Sequence, residues 1–242
     1  MDNKNNITVF SSFALDRLLD KKGRLLNEQK GGPAFYIELA LKKEQIAFNL
    51  LCYPTLEVEI LIDPIKGEYG RITSRVKPKK INWRLYDSST ILVSTLLNEF
   101  DINTIKECKQ QVFLDVQGYV RDGKNFGKKK FWDFNADTLF CVKGTEEEIS
   151  YLPKNFIEKQ KQKMLLMTLG SNGSILYFKN KAISTKPEMV IRSTDTIGAG
   201  DSFFAYFITK YLQSNNPALS LEYATSKTTS FLSSKTHHTN PF

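Results

Sequence analysis

The chain has 242 residues, 41% apolar and 25% charged, and its 34 Lys and Arg against 26 Asp and Glu give a net charge of +8. This is the composition of an ordinary globular protein, long enough to bury a sizeable core within one α/β domain spanning 1–242. No apolar run approaches the ~18–20 residues of a membrane helix, and the lysine groups at 77–80 and 128–130 lack interleaved aromatics, which argues against membrane and nucleic-acid partners.

In chain order, residues 1–6 are polar and carry no leader-like apolar run, so a cytoplasmic location is expected. Ile7–Phe10 reads as a first strand ending in small residues, with Asp16 just beyond it. Leu25–Lys30 reads as a second short strand. Gly31-Gly32-Pro33 then leads into a helix over 34–43 with Pro33 in its first turn. Gln45–Cys52 reads as the next strand. From 57 to 85 apolar and polar residues alternate (Val58, Ile60, Ile62; then 71–76), the pattern of antiparallel strands projecting from the domain.

Short apolar runs resume at 90–93, 112–115 and 138–142, separated by helix-like stretches at 101–108 and 145–152. Strand–helix alternation of this kind predicts a mainly parallel sheet with helices on both faces. Residues 163–168 continue it, 174–178 and 181–184 suit a hairpin, and helices over 199–213 and 217–233 follow. Cys52, Cys108 and Cys141 are odd in number, far apart and beside apolar segments, so buried reduced thiols are expected. His237 and His238 fall in a polar tail.

The most informative run is Asp195-Thr196-Ile197-Gly198-Ala199-Gly200-Asp201, which opens the apolar helix beginning at Phe203. Small residues at a helix start let unpaired N–H groups and the positive dipole end meet an anion. A carboxylate on the same turn, Asp201, is suited to take a proton from an attacking hydroxyl. Together they point to phosphoryl transfer.

That run resembles the D-T-x-G-A-G-D motif of the ribokinase-like (PfkB-type) carbohydrate kinases. The resemblance implies a three-layer α/β/α sandwich, a mainly parallel sheet, and a small β lid from segments near 24–30 and 57–85. It implies phosphorylation of a hydroxyl on a small sugar or cyclitol, with Asp201 as general base and the Gly198, Ala199 and Gly200 amides as anion hole. Asp16 is similar to the family's substrate-binding aspartate, and Gly31-Gly32 to its di-glycine. Asp115-Val116-Gln117-Gly118-Tyr119-Val120-Arg121 resembles a D-x-Q-G-x-x-R element in which Arg121 contacts substrate or phosphate. Thr168-Leu169-Gly170-Ser171-Asn172-Gly173 resembles the strand-end element flanking the nucleotide, which implies contacts from Thr168, Gly170 and Gly173, with Thr196 joining them.

The implied cofactors are ATP and Mg²⁺, with Glu148 and Asp195 as metal residues, and a monovalent cation for which Asp195 and the Ile197 carbonyl are candidate ligands. Two departures stand out. Thr145 occupies the place of the asparagine in the family's N-x-x-E element, and Thr145 with Glu148 also reads as a capping box. The segment after Leu232 is short and lacks the usual glycine-containing turn. A nucleoside kinase of the same fold, or a nucleotide-binding regulator with impaired chemistry, therefore stays open beside the sugar or cyclitol kinase, as does a homodimer paired through the lid.

Overall fold

The computed structural model describes residues 6–63, 67–123, 125–191 and 196–238. Its first elements are strands β1 (Ile7–Leu19) and β2 (Leu25–Gly31), helix α1 (Pro33–Lys43), and strands β3 (Phe48–Asp63) and β4 (Gly67–Ile72). There follow β5 (Lys79–Lys80), β6 (Thr90–Val93), β7 (Phe100–Asp101) and β8 (Gln111–Asp115). A single helical turn, α2 (Gln117–Val120), precedes β9 (Arg121–Asp122), β10 (Asn125–Lys129) and β11 (Cys141–Thr145). Helices α3 (Glu146–Ser150) and α4 (Lys154–Lys163), strands β12 (Met164–Thr168), β13 (Ser174–Phe178) and β14 (Lys181–Thr185), and helices α5 (Ala199–Ser214) and α6 (Pro217–His238) complete the order.

Ten strands form one sheet in the order β14-β13-β12-β11-β8-β6-β1-β3-β4, with β2 paired to β1. The six strands from β3 to β12 along that path run parallel; β13 and β14 add an antiparallel edge. The central strands are buried on both faces, and alternate residues serve opposite cores. Ile91, Val93, Val112 and Leu114 face one core, which holds Trp83, Phe100, Tyr119, Phe134 and Phe156. Leu92 and Phe113 face the other, filled by α1, α5 and α6 through Ile37, Leu41, Phe204, Phe207 and Leu221. Phe204 and Phe207 are fully buried, and truncating such a side chain to Ala costs about 3–5 kcal/mol. The expected three-layer α/β/α architecture is what the chain adopts.

The lid grows out of the main sheet. After Phe10, β1 leaves β6, keeps β3 as its parallel neighbour and from Ala14 gains β2 as an antiparallel one. The bend coincides with a bulge in which Phe13 opposes both Pro54 and Thr55. An extra residue raises local twist, and a proline that cannot donate to the ladder is tolerated there. Val58 and Ile60 of the lid are buried on its inner side, while Leu25 and Leu26 on the β2 edge are exposed.

Several expectations needed correction. The first strand does not stop at Phe10 but runs on to Leu19, so Asp16 lies within it. The alternating segment is only partly antiparallel, since β3 pairs β1 in parallel. Residues 73–85 return to the body, where Ile81 and Trp83 enter the core. The helix expected over 101–108 is a bridge strand and a 3-10 turn at Ile105–Glu107, because the Asp101 carboxylate caps the Asn103 amide and starts a turn there. The strand expected at 138–142 begins at Cys141, where pairing with Phe113 starts. Cys108 and Cys141 are buried free thiols, but Cys52 is exposed. The side chains of His237 and His238 lie outside the described set.

Candidate active site

After β1 the chain adds β3 on one side of it and β6 on the other. Such a reversal opens a crevice beyond the carboxyl ends of the strands. A cleft of about 690 Å³ lies there, the size of a small-molecule site. Asp16, Val58 and Ile60 bound it from the lid, Gly198–Asp201 from the start of α5, and Thr168–Gly173 from the end of β12.

The turn entering α5 is built around Gly198, whose left-handed φ of 79° precedes helical residues. Left-handed and right-handed residues in succession turn consecutive N–H groups toward one point. A Cβ at Gly198 would come 2.1 Å from the Tyr36 ring, so both conformation and space require glycine. The Ala199 amide, expected in the anion hole, donates instead to the Thr196 carbonyl at 3.1 Å. The Gly198, Gly200 and Asp201 amides make no backbone hydrogen bond among the described residues. The buried face of α5, Phe203 to Ile208, anchors the turn in the core.

Beneath the turn lies a buried charge cluster. Lys143, in the middle of β11, makes a 2.8 Å ion pair with Asp115 at the end of β8. A Cβ on Gly200 would lie 3.0 Å from the Lys143 ammonium. Burial opposes the charge on Lys143, yet Asp115, Glu148 and Asp201 outweigh it and raise the ammonium above its ordinary value. Burial pushes Asp115 up against the pull of Lys143. Asp201 is raised to about 6, chiefly by burial, with Lys143 opposing, Asp115 adding to the rise, and the Ser94 hydroxyl and Arg121 opposing. Ser94 Oγ donates to Asp201 Oδ1 at 3.2 Å. The half-buried Arg121 guanidinium, lowered by desolvation, donates from Nη1 to the Leu96 carbonyl at 3.3 Å and faces the same carboxylates. Glu99 shapes the adjoining turn by accepting from Ser12 and from the Leu96 and Leu97 amides.

Asp16, Gly32, Arg121, Glu148, Thr168, Gly170, Gly173, Thr196 and Gly198–Asp201 all line this cleft. Gly31 stands behind them: a Cβ there would meet the Asp16 carboxylate at 1.9 Å. Gly32, at φ 82°, initiates α1 where a Cβ would strike the backbone of Ser12 to Ala14 at the lid bend. Gly170 takes φ 58° beside open space, whereas a Cβ on Gly173 would collide with the Thr185 carbonyl. The motif's first residue, Asp195, lies outside the described residues.

Thr145 and Glu148 form both bonds of a capping box: Thr145 Oγ1 accepts from the Glu148 amide at 3.1 Å, and Glu148 Oε2 from the Thr145 amide at 2.8 Å. No group of three potential metal-ligating side chains exists among the described residues. Of the carboxylates lining the cleft (Asp16, Glu147, Glu148 and Asp201), Glu148 keeps its Oε1 outside the capping box, a donor compatible with a Mg²⁺ held mainly by phosphate oxygens and water.

Ser94, Lys143 and Lys235 went unassigned in the sequence. Lys143 had only a weak signal, a charge directly after the apolar run 138–142. Lys235 had none, standing in a polar tail, yet its ammonium donates to the Ile197 carbonyl at 2.8 Å.

Residues 133–230 match the pfkB family carbohydrate kinase model. A Pyrococcus horikoshii protein, named provisionally as a sugar kinase, is 35% identical over 144 residues; the match covers 55% of this chain and 46% of that protein. This chain thus matches just under half the length of that relative. A nucleoside kinase of Methanocaldococcus jannaschii, from the ribokinase family, superposes with a TM-score of 0.68 at 16% identity, covering 91% of this chain and 89% of that one. A pyrophosphate-dependent kinase of the ribokinase family, complexed with a pyrophosphate analogue and myo-inositol, gives 0.68 at 15% identity, covering 92% and 93%. The fold is therefore the ribokinase fold. Among the described residues, no helix is long and apolar enough to cross a membrane.

Proposed function

We propose that this ribokinase-fold chain, with the pfkB pattern in its C-terminal half, transfers a phosphoryl group from ATP to a hydroxyl of a small sugar, cyclitol or nucleoside. The observation that carries the reading is Asp201, a buried carboxyl in the first helical turn that lines the same cleft as Gly198 and Gly200 and that burial raises to about 6. In the reaction the substrate oxygen attacks the γ-phosphorus in line, its proton passes to the Asp201 carboxylate, and ADP leaves. A base poised just below neutral pH is ionised and ready to accept that proton.

The Gly198, Gly200 and Asp201 amides are fixed before the reaction and stabilise charge on the transferred group. Lys143 and Arg121 hold Asp201 in its ionised form. Asp16 accepts hydrogen bonds from substrate hydroxyls, and Thr168, Gly170, Gly173 and Thr196 border the donor. Bound Mg²⁺ would neutralise the donor phosphates, held through Glu148 and, with it, Asp195. Val58 and Ile60 on the inner face of the lid exclude water once substrate is bound, and the exposed β2 edge is the expected surface for lid-to-lid pairing.

A panel of sugars, cyclitols and nucleosides, each with ATP or pyrophosphate, tests the reading by ³¹P NMR. A new phosphate ester with equimolar ADP is the expected result. Turnover with pyrophosphate alone would change the donor, and no ester from any pair would refute phosphoryl transfer.

A further inference from the structure

The Ile197 carbonyl, a candidate ligand for a monovalent cation, already holds a cation from the chain itself. Lys235 Nζ reaches it at 2.8 Å from the last turns of α6. The same ammonium lies 5.3 Å from the Tyr36 ring centroid and 5.2 Å from that of Phe231. Those rings meet edge to face at 6.0 Å, and aromatic faces attract such a cation. Tyr36 is also the surface on which Gly198 packs. Lys235, Tyr36 and Gly198 thus form one continuous contact from α6 across α1 to the turn that opens α5.

A free cation on the same carbonyl would sit beside that ammonium. Two like charges held by one carbonyl oxygen repel strongly at the modest effective dielectric near a protein surface. The residues present therefore do not fit an exchangeable monovalent ion at Ile197.

We propose that Lys235 is a positioning residue whose tethered ammonium takes the place of a monovalent cation at the Ile197 carbonyl and fixes the turn bearing Gly198 to Gly200. The protein should then be indifferent to K⁺. The link to catalysis rests on the phosphoryl-transfer reading, but the effect on stability does not.

The test compares wild type, Lys235→Ala and Lys235→Met in choline, Na⁺ and K⁺ chloride at equal ionic strength, reading Tm and turnover. Wild-type Tm and turnover should be the same in all three salts. Both variants should have a lower Tm, raised selectively by K⁺, and about tenfold lower turnover, partly restored by the same ion. A wild-type protein whose Tm or turnover rises in K⁺ would overturn the proposal, as would variants that match wild type or ignore added K⁺. Absence of turnover in every sample would count against the kinase reading, while the Tm comparison still decides the role of Lys235.

Discussion

At Lys143 the chain buries a lysine within β11 beside the end of β8, and the surroundings explain why it stays charged. Asp115 pairs with it directly, while Glu148 and Asp201 add to the field. Removing one partner from a buried ion pair leaves the other uncompensated, typically at about 3–5 kcal/mol. Lys143→Met should therefore lower stability by that order, measured by urea unfolding. The lost positive charge should also raise the Asp201 pKa, moving the acid limb of the pH–rate profile to higher pH. Little of this was legible beforehand, because Lys143 and Asp115 are 28 positions apart and a lysine in a strand ordinarily marks a solvent-facing site. Asp201, by contrast, was marked by its neighbours: glycines on a helix-starting turn are a local signal that needs no long-range contact.

The elements that a sequence reveals best are those whose pattern is set locally. Pro33 at the start of α1, the apolar run of α5 and the hairpin β13–β14 were all readable from period and turn residues. The second half of β1 was not, because its strand character comes from pairing with β2 and β3 rather than from alternation in Phe13 to Leu19. The 101–108 stretch misled in the opposite way, since Ile102, Ile105 and Cys108 have helical spacing but a polar turn intervenes. The turn between Thr196 and Gly200 is the element on which the site depends. Gly198→Ala adds a Cβ at φ 79° against the Tyr36 ring. It should cost about 1–3 kcal/mol in backbone strain and weaken binding of an ATP analogue, measured by calorimetry, while Gly170→Ala, which meets open space, should affect binding less.

Across the whole molecule, two cores hold the sheet while the lid and the start of α5 face each other over one cleft. Burying Asp201 there costs stability in return for a base tuned to about 6. A carboxyl raised from 3.8 to about 6 opposes folding when ionised, by up to about 3 kcal/mol. That penalty is fully present above pH 6 and disappears as the pH falls through 6 toward the unfolded value near 4. Asp201→Asn should therefore raise Tm at pH 8 and lose this advantage by pH 4. The most direct test measures that variant beside wild type, following single-turnover phosphoryl transfer to an accepted substrate together with Tm at pH 8. Transfer slowed by about 10²–10⁴-fold with a higher Tm is the predicted result; transfer at the wild-type rate would contradict Asp201 as the proton acceptor.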